Sequence, residues 1–316
     1  MNDMKQENSM QTFIEKKHQG PIVIHAKSSN DLSDAYRDSL TISYRYLGKT
    51  IYPDTSFCIG EHVFHTPIMA GVCNLKTVPG ECPELTYARA VHEAGSVYWA
   101  PFFGKENHTK VLKEKIPSIR VIKPLRKVED VIEEVKFETE NGAIGYAMDI
   151  DHSYSVYGEP DHNPMFDFGP KTLEDLKRIN EASDLPFFLK GVLSVSDALV
   201  AKEAHVAGIV LSGHNNRFPC ATPPLYLLPE IRKAVGDEMM ILLDGGINNG
   251  YDAFKALALG ADGILSARAL LGSMVKEGPD AMTQKILEMT AELKGAMANT
   301  GSIDLKHIDS SCIKKL

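Results

Sequence analysis

A (β/α)8 barrel, the α/β fold of eight strand–helix units, is the class this sequence predicts, on three observations. Four short apolar bursts, Phe187-Phe188-Leu189, Gly208-Ile209-Val210-Leu211, Met240-Ile241-Leu242-Leu243 and Gly263-Ile264-Leu265, are separated by helical patterns. Bursts this short and without alternation suit strands buried on both faces. Each burst ends in polar or charged residues: Lys190, Ser212-Gly213-His214, Asp244-Gly245-Gly246 and Ser266-Ala267-Arg268. In a parallel barrel the C-terminal strand ends all open onto one face, where the site is built. The length, 316 residues, holds one barrel of about 250 residues plus extensions. An open doubly wound sheet is the alternative, but no G-x-G-x-x-G follows a strand, so its dinucleotide fingerprint is missing.

Residues 1–20 are polar and are expected to fray or to dock loosely. A helix followed by an extended piece is expected over 31–46. A small hairpin is expected over 56–65, turning at Gly60-Glu61-His62, of the kind that plugs a barrel's bottom. This N-terminal extension, 1–65, leads into the barrel proper, 66–316. Strand one is 66–71, followed by a helix over 84–93 that Gly95 ends. Strand two is 97–100, with a short helix over 109–115. Strand three is 119–122, with a helix over 128–138 whose outer face is charged. Strand four is 143–149. Residues 151–170 are rich in Asp, His, Tyr, Gly and Pro and lack periodicity, which reads as a lid, a binding loop or a disordered segment. A helix over 173–181 precedes strand five at 187–190. A helix over 196–205, capped by Ser194 or Ser196, precedes strand six at 208–211. The helix over 225–235, strand seven at 240–243, the helix over 252–259 stopped by Gly260, and strand eight at 263–265 follow. A closing helix is expected over 281–300.

The hydrophobic fraction of 43% and charged fraction of 24% are those of an ordinary soluble globular protein. A net charge of −8 argues against a nucleic-acid or anionic-membrane surface. The five cysteines are scattered, with no C-x-x-C, and read as reduced thiols of a cytoplasmic protein. No apolar run reaches the length of a membrane span.

The strand ends carry the chemistry. Asp244-Gly245-Gly246-Ile247-Asn248-Asn249-Gly250 follows a buried strand and opens a helix. Its glycines let backbone N–H groups approach a phosphate, and a helix N-terminus favours that charge. Arg268, after strand eight, adds a charge-assisted contact where barrels commonly hold phosphate; the alternative is a tight turn and a surface arginine. Lys190 ends an otherwise apolar strand and needs an anion, unless it snorkels to water. His214 is a natural general base, and Arg217, three residues on, suits a carboxylate. A hydrogen-bonded structural histidine is the alternative for His214 alone. Asp149 and Asp151 offer a carboxylate to orient the imidazole. The spacing of Asp149, Asp151, His152, Asp161 and His162 matches no specific metal motif, and no metal is expected.

Lys190-Gly191-Val192, Ser212-Gly213-His214-Asn215-Asn216-Arg217, Asp244-Gly245-Gly246-Ile247 and Lys255-Ala256-Leu257-Ala258-Leu259-Gly260-Ala261 together resemble the FMN-dependent α-hydroxy acid oxidases and dehydrogenases. The likeness covers about 186–272 well and about 66–151 more weakly. It implies FMN at the C-terminal face and oxidation of a lactate- or glycolate-like 2-hydroxy acid to a 2-oxo acid. Reoxidation would be by oxygen or another acceptor. It implies His214 as the base, Asp151 as its partner, and Arg217 on the substrate carboxylate. Lys190 would face the flavin, and Asp244, Gly246, Ala267 and Arg268 would hold ribityl and phosphate groups. Lys123, Asp149, Ser212 and Gly245 complete the implied cofactor set. A homotetramer is also implied. The chain departs from the family pattern at Asn215-Asn216, Asn248, Ala267 and Lys123-Pro124-Leu125, and a second substrate arginine is not visible between Ser153 and Gly169. Two other readings stand beside this one: an FMN barrel like the type 2 isopentenyl diphosphate isomerases, and a non-catalytic barrel that has lost its substrate arginines.

Overall fold

The computed structural model describes residues 27–316 except 50, 74, 77, 79, 80 and 164. The expectation for residues 1–20 lies outside the described residues. The chain enters through a helix, Ser29–Asp38, whose N-cap Ser28 accepts from Asp31 N. β1 (Leu40–Ile42) follows, then a hairpin of β2 (Phe57–Ile59) and β3 (His62–Phe64).

The barrel strands are β4 (Ile68–Ala70), β5 (Tyr98–Ala100), β6 (Ser118–Ile122), β7 (Gly145–Asp149), β10 (Phe187–Val192), β11 (Gly208–Ser212), β12 (Met240–Asp244) and β13 (Gly263–Ser266). They close in chain order, with β13 pairing back onto β4, and every pairing is parallel. The short ribbon between β7 and β10 is β8 (His162–Asn163) with β9 (Phe166–Asp167). The predicted strands and hairpin are present, with every end within two residues of the expected one.

Two apolar clusters explain the closure. One fills the barrel: Met69, Trp99, Val121, Phe188, Val210, Leu242 and Leu265 meet there, with Phe57, Ile59 and Phe64 from the hairpin. A Cβ built on Gly263, at the start of β13, would lie 3.0 Å from the Phe57 ring, so the hairpin seals the end opposite the site. The larger cluster lies between the strands' outer faces and the helices. Full burial of one such aromatic or aliphatic side chain contributes about 1.5–3 kcal/mol.

Helix starts follow their caps. Thr172 forms a capping box with Asp175 ahead of Leu173–Asn180, and Ser194, not Ser196, caps Val195–Glu203. The closing helix, Pro279–Ala298, packs on Gly250–Ala258 and on Pro83–Glu93. Gly250 permits the first contact, because a Cβ there would lie 2.1 Å from Met289 O.

Several elements were not expected. Helix Arg268–Glu277 starts directly after β13; its Gly272 and Ser273 blur the helical pattern. β14 (Ile313–Lys315) pairs antiparallel with β1, a contact between chain ends that no local pattern announces. The segment 151–170 is folded: a 3-10 turn over Ile150–Ser153 leads into the β8–β9 ribbon.

Candidate active site

Barrel closure brings four charged strand ends into one line of alternating sign. Lys123 follows β6, Asp149 ends β7, Lys190 lies in β10 and Asp244 ends β12. Lys123 Nζ is 2.6 Å from Asp149 Oδ2, and Lys190 Nζ is 3.3 Å from Asp149 Oδ1 and 3.4 Å from Asp244 Oδ2. Asp149 and Lys190 are almost wholly buried, at 1% and 2% exposure. Burial alone would push the Asp149 carboxyl up; Lys190, Lys123 and His214 overcome it and hold it well below the usual carboxylate range. Burial likewise opposes the Lys190 charge, and Asp149 and Asp244 raise its pKa despite it. Lys190 therefore does not snorkel; it is a paired interior cation.

His214 sits on a tight turn. His214, Asn215 and Asn216 have φ of 45°, 53° and 66°, a run of left-handed residues that asparagine tolerates better than most. Ser212 Oγ accepts from His214 N (3.1 Å) and donates to Asp244 Oδ2 (2.9 Å), which ties the turn to β12. The two asparagines also dock the N-terminal helix: Ser29 N donates to Asn216 Oδ1, and Asn30 Nδ2 to Asn215 Oδ1. His214 Nδ1 lies 3.0 Å from Asp151 Oδ2 and 3.9 Å from Asp149 Oδ1. Asp151, more than Asp149, is thus the orienting carboxylate. Burial acts to raise its pKa, and the His214 contact brings it below the ordinary value. Gly191, at φ +94°, faces it; a Cβ there would be 2.8 Å from the Asp151 side chain. The Lys190-Gly191 pair thus places a cation and makes room for a carboxylate in consecutive residues.

Arg217 is not where a free carboxylate receptor would stand. Its Nε donates to Asp151 O (2.8 Å), and its Nη2 to Tyr154 O (3.1 Å) and Asp161 Oδ2 (2.7 Å). It lines neither of the two main cavities at the barrel mouth. Its visible work is to strap segment 151–161 onto the His214 turn. Asp161 Oδ2 also holds His152 Nδ1, at 2.7 Å. Among the described residues, Asp149, His152 and His214 form a group of metal-ligand size. The Lys123 and Lys190 ammonium groups already occupy the Asp149 carboxylate and stand against a cation there.

One cavity lies over β11, β12 and β13. It is lined by Lys190, Ser212, His214, Asp244, Gly245, Gly246, Ala267 and Arg268, among others. Gly245 and Gly246 take φ of 142° and 72°, which an L side chain rarely adopts. The helix Gly250–Ala258 does not supply the anion site that the sequence suggested. Asn249 caps it, Glu292 Oε2 accepts from Gly250 N, and Asp252 accepts from Asn248 N. The unexpected helix Arg268–Glu277 starts at this cavity, and Ala267 gives its first N–H groups no side-chain cap. Arg268 has no ion-pair partner among the described residues and adds its charge at the same point. Arg268 and these N–H groups are the donors that suit a phosphate, while Asp244 and Ser212 line the same cavity. The N-terminal helix reaches it too: Arg37 donates to Gly246 O. No sequence signal distinguished that arginine.

A second cavity of about 710 Å³ joins the first at Val72 and His214. Lys123, Asp149 and His152 line one side, and Pro101, Phe102 and Phe103 the other. Glu84 is also on its wall, with Arg120 Nη1 at 3.8 Å; burial lifts its carboxyl to about 7. Behind it Arg120, Glu138 and His108 form a fully buried polar group. Sequence reading missed Glu84 and the phenylalanines, because each sits inside an ordinary apolar or helical pattern.

Fold and site together define a class: a parallel (β/α)8 barrel whose mouth joins an anion cradle to a histidine–carboxylate pair. Residues 161–315 match the family model for FMN-dependent dehydrogenases. The chain is 38% identical over 136 residues to 4-hydroxymandelate oxidase from Amycolatopsis orientalis, which is 43% of this chain and 38% of that protein. It is 38% identical over 136 residues to L-lactate oxidase from Alicycliphilus denitrificans, 43% of this chain and 37% of that protein. The matched segment thus spans under half the length of these relatives. Among solved structures, mandelate oxidase with (S)-4-hydroxymandelic acid superposes with a TM-score of 0.82 at 23% identity, covering 92% of each chain. A mandelate oxidase variant with a monooxide FMN adduct superposes at 0.81 and 24%, covering 92% of this chain and 93% of that one. Over 161–315, just under half of its length, the chain is similar to FMN-dependent dehydrogenases.

Proposed function

We propose that this protein is an FMN-dependent enzyme that oxidises a 2-hydroxy acid to a 2-oxo acid. The observation that carries the reading is His214. It is paired through Nδ1 with Asp151 at 3.0 Å and lines both the anion cradle and the larger cavity. The family match over 161–315 supports the cofactor. Arg268, the open N–H groups that follow Ala267, Gly245 and Gly246 suit the phosphate. Lys190 and Lys123 suit the electron-rich edge of the ring system, and Ser212, Asp244 and Asp149 hold these groups in place. When bound, FMN supplies an acceptor for two electrons.

The protein's own contribution is positional and electrostatic. Asp151 fixes the imidazole and stabilises its protonated form, which suits His214 to remove a proton from the substrate. Arg217 keeps its grip on Asp161 and on the backbone of segment 151–154, and so holds the wall of the site rather than the substrate carboxylate. Pro101, Phe102 and Phe103 offer a wall to an apolar substituent on C2, so acids larger than glycolate fit this site. Oxygen or another acceptor completes the cycle. A cytoplasmic homotetramer is part of the same reading, and light scattering measures the assembly.

The test is the visible spectrum of the purified protein, then anaerobic addition of 2-hydroxy acids of increasing side-chain size. A yellow protein bleached by one of them is the expected result. A yellow protein that none bleaches refutes the oxidase reading in favour of an isomerase-like or non-catalytic FMN barrel. His214→Ala is expected to stay yellow and to lose reduction by about 10²–10⁴-fold; full reduction by that variant refutes His214 as the base.

A further inference from the structure

Resting on that oxidase reading, we propose that His152 is a second substrate-orienting residue, its Nε2 accepting the hydrogen bond of the substrate's 2-hydroxyl beside His214. The tautomer follows from Asp161. A carboxylate only accepts, so at 2.7 Å the His152 Nδ1 carries the proton, and Nε2 is left with a lone pair. Burial, and then Lys123, lower the His152 pKa to about 4, so the ring stays neutral near pH 7 and the lone pair stays available.

That nitrogen is unused among the described residues. His152 Nε2 is buried and has no hydrogen-bond partner among the described residues, a costly condition for a polar atom. Both imidazoles line the same cavity. The rings meet edge to face with centroids 4.7 Å apart, and one ring nitrogen of each lies within 4.8 Å of the other. The 2-hydroxyl has a single proton, which it donates to His152 Nε2, and the adjacent α-carbon then faces His214. His214 already commits Nδ1 to Asp151, which leaves it a single nitrogen for substrate; His152 provides the second contact. The ring is held firmly, because Asp161 is itself gripped by Arg217, and Arg217 by the backbone carbonyls of Asp151 and Tyr154.

The test uses flavin-loaded protein and calorimetry with two non-reacting acids. One is a 2-hydroxy-2-methyl acid, which keeps the hydroxyl but has no α-hydrogen; the other is the same acid without the hydroxyl. Wild type is expected to favour the hydroxy acid about fivefold to tenfold. His152→Phe is expected to erase that preference while binding the deoxy acid unchanged, and His152→Gln, which keeps an acceptor, to retain part of it. A preference intact in His152→Phe overturns the role of His152 alone, provided wild type is bleached by a 2-hydroxy acid. A wild type that no 2-hydroxy acid bleaches overturns the oxidase reading and this role together.

Discussion

Asp149→Asn is the most telling single change at the barrel mouth. It keeps the shape and removes the one carboxylate that Lys123 and Lys190 share. At 2.6 and 3.3 Å, and an effective dielectric of about 20, the two attractions are about 6 and about 5 kcal/mol before desolvation. The cost of burying the ions offsets much of this, and breaking a buried pair by removing one partner costs about 3–5 kcal/mol. Lys190 keeps Asp244 at 3.4 Å, so the loss falls mainly on Lys123, which has no other ion pair among the described residues. We therefore expect the lower end, about 3 kcal/mol, from urea unfolding followed by midpoint and slope. Adding Lys123→Met to Asp149→Asn is expected to recover part of that loss, because it removes the stranded charge. The pH dependence has a definite sign. The folded-state pKa of Asp149 is depressed, so its contribution is complete above the ordinary aspartate value and is lost as pH falls from there toward the depressed folded-state value. The gap between wild type and Asp149→Asn should accordingly narrow on acidification. A loss under about 1 kcal/mol at neutral pH, or no recovery in the double variant, refutes the buried alternating line of charge.

Three further outcomes follow from the same geometry. Arg268→Ala is expected to bind FMN about tenfold more weakly, read as fluorescence released on dialysis; undiminished retention makes Arg268 a surface residue. Gly250→Ala forces a Cβ to within 2.1 Å of Met289 O and is expected to cost about 2–4 kcal/mol in the same unfolding assay. Glu84, raised from 4.5 to about 7 by burial, binds its proton more tightly folded than unfolded. Its contribution is therefore full below about pH 4.5 and lost as pH rises to about 7, at up to about 1.4 kcal/mol per unit. Glu84→Gln should flatten that part of the stability profile, and unchanged slopes refute the raised value.

The barrel was legible because its strands are buried on both faces, so each reads as an apolar burst between helices. The chemistry at its mouth was legible because a charged residue at the end of such a burst has few structural excuses. Asp149, Lys190, His214 and Asp244 were found that way, Lys123 only through the family resemblance, and all five line the cavities. Helix Arg268–Glu277 was invisible, since a mid-helix Gly-Ser pair imitates a loop. Its absence sent the anion argument to the wrong helix: Gly250–Ala258 satisfies its own N-terminus through Asn249, Asp252 and Glu292.

Arg217 marks the other limit. A sequence gives a side chain's charge but not which acceptors reach it first, and here backbone carbonyls and Asp161 do. The departures from the family pattern acquire reasons on the same terms. Asn215 and Asn216, larger than glycines, hold left-handed backbone and also receive the N-terminal helix, which a glycine pair could not do. That helix carries Arg37 to the Gly246 carbonyl, beside the cradle. Residues that looked like losses beside His214 therefore connect the chain's first described helix to the loop of Gly245 and Gly246, and His214 lies at the point where the two cavities meet.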